Sequence, residues 1–155
     1  MVLRMPIGLT MLLIVKGKDM WKKYYEEITI NCQYVSIQDP AKKEDLTLVE
    51  KKLKITLPDD LAALLLEMNG DNDFLMSTDQ IIENNLDLRE MTCYMSLDSL
   101  LLFAHNGCGD YFGYPISKDG INEDRIYMWY HETDDRIECA SGLKDLITKY
   151  YSDEL

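Results

Sequence analysis

Apolar residues follow a helical spacing through the first half of this chain and an alternating one through much of the second. Leu61, Leu64, Leu65 and Met68 stand at i, i+3, i+4 and i+7, which gathers them on one helical face. Pro58 suits the first turn of that helix, and Asp59 and Asp60 favour the positive end of its dipole. Asn69-Gly70 closes it near 69, glycine being the residue that takes a left-handed cap without steric penalty. Upstream, Leu46, Val49 and Leu53 give one face to a helix of roughly 41–53, with Asp39 as its cap and Pro40 at its first position. Trp21 to Ile30 reads as a shorter helix with Tyr24, Tyr25 and Ile28 available for packing.

Beyond Gly70 an acidic loop, Asp71-Asn72-Asp73, leads into a short strand around Phe74 to Met76. Ser77-Thr78-Asp79-Gln80 has capping-box spacing and opens a helix of about 78–88 that buries Ile81, Ile82 and Leu86. The texture then changes. Leu100 to Ala104, Tyr111 to Ile116, Arg125 to His131 and Arg136 to Ala140 read as strands separated by Gly, Asn and Asp clusters. Connections this short favour an antiparallel meander. Ser141 caps a closing helix with Leu143, Leu146, Ile147 and Tyr150 on one face.

Without repeats or Pro/Gly linkers, 155 residues make one domain over residues 20–155. Residues 1–19 match none of this pattern. Their apolar run, from Met5 to Val15, is too short to span a bilayer and is broken by Pro6 and Gly8. An extension arising from start-site choice is the preferred reading; an edge or partner-docking segment and an export signal are the alternatives.

Charge changes the picture more than composition does. The formal net charge is −12, and it is uneven: residues 1–54 hold 10 Lys/Arg against 7 Asp/Glu, residues 55–155 hold 6 against 21. Such a field repels nucleic-acid phosphates and anionic membranes and steers a basic protein partner inward. Cys32, Cys93, Cys108 and Cys139 form no C-x-x-C pair, so free thiols in a reducing cytosol are expected.

Three strings are more specific. Leu46 to Gly70 reads L-x-x-V-E-K-K-L-x-I-x-L-P-D-D-L-x-x-L-L-x-x-M-N-G; a glycine-containing segment runs from Leu101 to Gly113; and Ile126-Tyr-Met-Trp-Tyr-His-Glu follows. In that order, with Ala140 to Tyr150 as a closing helix, they resemble the SUKH superfamily, also called the Smi/Knr family, over about residues 21–151. The resemblance implies an α+β fold, a bent antiparallel sheet flanked by helices. It also implies an immunity role, neutralising a toxin domain, often a nuclease or deaminase, deployed by bacteria; with the thiols and the motif spacings, the expectation is a cytoplasmic bacterial binding protein, without catalysis and without a cofactor or metal. A regulatory scaffold of the same fold is the first alternative.

Candidate site residues follow from the strand ends. On strand 125–131, Ile126, Met128 and Tyr130 share one face and Tyr127, Trp129 and His131 the other, so Trp129 is either core or the lining of a binding groove. Asp71, Asp73, Asp110, Glu132, Asp134 and Asp135 sit in loops or at strand ends, either as one recognition surface or as scattered solubility charges. The expected partner-binding set is Asp110, Tyr127, Trp129, His131, Glu132, Asp134 and Asp135. His105 with Cys108 is the pair a small hydrolase would use, but no third ligand or orienting group stands at a useful spacing. Gly107-Cys108-Gly109 is expected to make a tight turn with positive φ, and Asp119 to Asp124 a solvated one.

Overall fold

The computed structural model describes residues 20–155. Five helices, α1 (Met20–Ile28), α2 (Lys43–Leu53), α3 (Asp59–Glu67), α4 (Thr78–Arg89) and α5 (Leu143–Tyr151), surround an antiparallel sheet. Its strands are β1 (Leu100–His105), β2 (Tyr111–Ser117), β4 (Ile126–Tyr130) and β5 (Asp135–Ala140) in the order β1-β2-β4-β5, with the two-residue β3 (Gly120–Ile121) added to β2. This is the α+β architecture expected. Residues 1–19, for which three readings stand above, lie outside the described residues.

The helical spacings bury what they promised. Leu61, Leu64 and Leu65 on α3, Val49 and Leu53 on α2, and Leu143, Leu146 and Ile147 on α5 all enter one core. Phe112 pairs with Met128 across β2 and β4 and Met128 with Ile137 across β4 and β5, so these three share a face, the one on which the Tyr150 ring of α5 meets Phe112. Tyr111 pairs with Trp129 on the opposite face, where the Tyr94 ring meets Trp129 edge-on at 4.8 Å. Both faces are therefore covered in part. Ile126 and Trp129, which strict alternation sets on opposite faces, are both fully buried.

The outer edge of β1 is closed by two side chains of α4 and by two backbone contacts with the segment Phe74 to Met76. Arg89 donates to the Leu100 carbonyl at 3.2 Å. The Asn85 amide accepts from the Leu102 N–H at 2.9 Å and donates to the Leu102 carbonyl at 2.7 Å, taking the place of a neighbouring strand. Met76 N–H donates to the Phe103 carbonyl, and His105 N–H to the Phe74 carbonyl. The strand expected around Phe74 to Met76 is thus a single bridge, Leu75 to Ala104, on this edge.

Several terminal details differ from the expectation, each for a local reason. Asp39 and Pro40 do not open α2, because the Asp39 carbonyl accepts from Asn69 and the Ala41 N–H donates to Leu65. The helix starts at Lys43, and Asp45 reaches back to the Lys42 N–H at 2.9 Å. α3 ends at Glu67 on an extended Met68, so Gly70 is not its cap. Gly70 keeps a positive φ of 86°, and a Cβ there would lie 2.9 Å from the Leu75 carbonyl oxygen. Leu86 is exposed and Asn85 buried in its stead. Asp145 accepts from Ser141, and the position before α5 is Gly142. Pro58 cannot cap α3, and Glu123, from the segment read as a solvated turn, accepts from the Asp59 N–H.

Asp71 is the largest departure. Expected in an acidic surface, its carboxylate is fully buried. Oδ1 accepts from the backbone N–H groups of Asp73, Phe74 and Leu75 at 2.8–2.9 Å. Oδ2 accepts from the Tyr25 and Tyr151 hydroxyls, of α1 and α5. Burial, then the Asp71 charge, pushes the Tyr25 hydroxyl far above its ordinary range, so it remains a donor. Asp71→Ala removes the acceptor of five donors, of which only the Tyr25 and Tyr151 hydroxyls, 2.7 Å apart, can still bond each other. It is expected to lower the unfolding free energy in urea by about 3–5 kcal/mol, with Tyr151→Phe costing about 1–2 kcal/mol. Asp73→Asn is the control. Burial and the Asp71 charge push the Asp73 carboxyl up, so neutralising it is expected to leave stability unchanged or slightly improved.

Candidate functional site

α5 covers only part of the sheet face that carries Phe112 and Met128, and beside it lies an open cleft of about 670 Å³. Phe112, Met128 and Tyr130 line it from the strands, Tyr150 and Tyr151 from the end of α5. Asn106 and Asp110 come from the β1–β2 turn, and Asp153 follows α5. No lysine or arginine is among its lining residues within the described chain. Ala104, Phe112, Met128 and Ile137 form one cross-strand row, from the buried side of the sheet to the 53% exposed Ile137 on its last strand. The cleft therefore has an apolar floor that continues to the sheet edge.

The turn that supplies Asp110 is organised by Asn106, whose side-chain oxygen accepts from the N–H groups of Cys108 and Asp110. Gly107 and Gly109 have φ of 78° and 98°, the positive values expected of them. At Gly109 a Cβ would fall 2.8 Å from the His131 ring, so glycine is also needed for the approach. Asp110 Oδ1 accepts from the His131 backbone N–H at 3.1 Å and lies 2.8 Å from His131 Nδ1, while Oδ2 accepts from Asn106. Burial alone would raise this carboxyl; the bonds from His131 and Asn106 outweigh it and hold the group below its ordinary range.

The other expected site residues divide between the two faces. Asp135 pairs with Tyr130 and so adjoins the cleft, and Glu132 is exposed in the same β4–β5 turn. Tyr127 pairs with Gly113 and faces away from the cleft. Trp129 belongs to the core, 1% exposed, so of the two strand faces it is the one bearing Met128 and Tyr130 that lines an open groove. Asp134, with φ of 61°, turns its carboxylate inward. It accepts from Trp129 Nε1 at 2.7 Å, from the Met95 N–H at 2.8 Å and from Arg136 at 3.3 Å. Burial opposes its charge, yet these donors hold the carboxyl below its ordinary range.

His105 and Cys108 share the turn, but the His105 Nδ1 accepts from the Gly107 N–H at 3.1 Å and no hydrogen bond joins the two among the described residues. Among those residues no three His, Cys, Asp or Glu side chains gather in a way that would hold a metal. Of the residues lining the cleft, Asp110 alone was in the expected partner-binding set; Tyr130, Tyr150 and Asp153 are among those that sequence reasoning missed. Tyr150 was legible only as part of a helical apolar face, and nothing in a sequence says which end of that face is left uncovered.

The Asp110–His131 contact makes a pH test. Because the folded state holds the Asp110 carboxyl below its ordinary value of 3.8, the stability it lends is complete above that value. It is lost as pH falls through the lower folded value. The stability gap between the parent and Asp110→Asn is therefore expected to be widest at pH 6–7 and to narrow toward pH 3, read by urea unfolding across pH. A gap that stays constant would assign the effect to hydrogen-bond geometry alone.

No curated protein matches this chain. A family model described as the SMI1 / KNR4 family (SUKH-1) matches residues 40–149, well over half of the sequence. The match takes in the helices α2 to α4, the whole sheet, most of α5 and the strand and turn residues of the cleft, and on that span the chain belongs to the SMI1/KNR4 (SUKH-1) family.

Proposed function

We propose that this chain is an immunity protein of the cytoplasm, a non-catalytic binder that neutralises a cognate toxin by covering the toxin's substrate cleft. The observation that carries this reading is the open cleft, floored by Phe112, Met128 and Tyr150 and edged by Asp110 and Asp153. Aromatic groups in a hollow are the residue types that anchor protein interfaces, and carboxylates at the edge steer a basic partner in. A nuclease or deaminase must hold a polyanion, so its own substrate cleft is basic. A domain with 21 acidic residues against 6 basic ones after residue 54 can occupy such a cleft in place of the phosphates. Family membership supports the protein-binding part of the reading.

The direct test is protection: cells expressing a toxin domain encoded beside this chain are expected to survive only when the chain is co-expressed. The rim can be tested on the purified pair. Glu132 and Asp135 are exposed. Glu132→Gln with Asp135→Asn is expected to lower the association rate about three- to tenfold at low salt and to flatten its salt dependence. Asp134→Ala behaves differently, costing about 2–3 kcal/mol of stability, because it removes the partner of a buried indole N–H. Stopped-flow binding over a salt series, with thermal melts alongside, separates the two effects. An association rate indifferent both to the double substitution and to salt would exclude this rim.

A further inference from the structure

Tyr150 lines the cleft with one ring face stacked on Phe74, at 3.9 Å with the planes 11° apart. Phe112 lies 5.5 Å from Phe74 and 6.1 Å from Tyr150; Tyr151 lies 5.9 Å and 5.1 Å from the same two. Rings nearly equidistant from both members of a stack flank it and do not cover its end. Tyr150 is only partly buried and lines the cleft beside Tyr130, and no aromatic ring among the described residues stacks on its second face.

The electrostatics of that hollow have one sign. Asp110 and Asp153 line it, and Asp73 and the buried Asp71 lie close enough to Tyr150 to act on its hydroxyl. The Asp110 carboxylate keeps acceptor capacity beyond its bonds to His131 and Asn106, since two oxygens offer about four lone-pair positions. No cationic side chain of this chain lines the cleft among the described residues: Lys149, the nearest in sequence, donates to the Cys139 carbonyl and pairs with Asp145. A ring face beside carboxylates, in a cleft lined by no lysine or arginine among the described residues, is an environment that attracts an incoming cation.

We propose that this cleft receives a single cationic side chain of the partner, an arginine laid against the Tyr150 ring and held by Asp110 and Asp153. This deepens the reading above by naming the chemical group recognised. Arginine suits the site better than lysine, because a planar guanidinium stacks on an aromatic face while its edge N–H groups reach carboxylates. A neutral apolar side chain would fill the Met128 floor but leave the carboxylates unanswered, and a second copy of this chain brings more negative charge to a surface already negative.

The probe is N-acetyl-arginine amide, titrated into the whole protein and followed by NMR at the Met128 methyl and the Tyr130 and Tyr150 ring signals. It is expected to bind weakly, in the millimolar range, and at least tenfold better than N-acetyl-citrulline amide, which has nearly the same shape without the charge. Asp153→Asn, which keeps a residue tolerant of the local φ of 55°, is expected to weaken binding about threefold. Tyr150→Leu is expected to weaken it about fivefold, and Tyr130→Leu repeats that measurement without touching the Phe74 stack. Equal binding of the citrulline or N-acetyl-leucine amide overturns the proposal, as do shifts that map away from the cleft. Cleft signals that move on dilution alone also overturn it, because a second copy then fills the site. Arginine binding in the cleft without recognition of any toxin sustains this proposal and removes the immunity reading. Protection from a toxin by a chain whose cleft ignores arginine does the reverse.

Discussion

The buried carboxylate of Asp71 joins parts of the chain that no sheet or helix would hold together. Its two oxygens collect three backbone N–H groups from the segment after α3, a hydroxyl from α1 and another from α5. The segment it folds, Phe74 to Met76, in turn closes the edge of β1 and supplies the ring on which Tyr150 stacks. A charge taken out of water is tolerated only where donors replace its hydration, and here five do so. Its bond to Tyr151 fixes the end of α5, whose Leu143, Leu146 and Ile147 are already buried in the core, and so helps set the shape left open beside that helix.

How much of this was legible in the sequence depended on the range of the interaction. Periodicity found α1 to α5 and the four main strands, because burial of one face is a local pattern that the residues carry themselves. Capping was legible where donor and acceptor lie three residues apart, as in Ser77 and Gln80, whose box is present. It was illegible where the cap comes from afar, as with Glu123 serving α3 across 64 positions. The Asp71-Asn72-Asp73 string looks like a solvated acidic loop, and only the approach of Tyr25 and Tyr151, 46 and 80 positions away, makes its first residue a core group. The cleft was half legible. Asp110 was singled out at a strand end, but the face of β4 that stays open depends on how far α5 extends over it.

The β4–β5 turn shows why carboxylates close together in sequence are not interchangeable. Asp134 takes a left-handed backbone conformation and buries its charge on Trp129, Met95 and Arg136, fixing the hairpin to the segment before β1. Glu132 and Asp135, on either side, remain in solvent. One turn thus separates a group that builds the scaffold from groups that colour its surface, and net charge by itself does not distinguish them.

The closed edge of β1 reaches beyond its own stability. A sheet that can add strands on both sides can grow without limit, which is how ordered aggregates begin. Here one side is sealed by a guanidinium, a side-chain amide and two backbone contacts, and β5 is the last strand on the other among the described residues. Among the described residues, further pairing along the main sheet is therefore confined to the β5 side, where Lys149 already holds the Cys139 carbonyl. With Ile137 exposed on that strand, the asymmetry leaves the fold one side, not two, on which edge-to-edge growth has to be resisted.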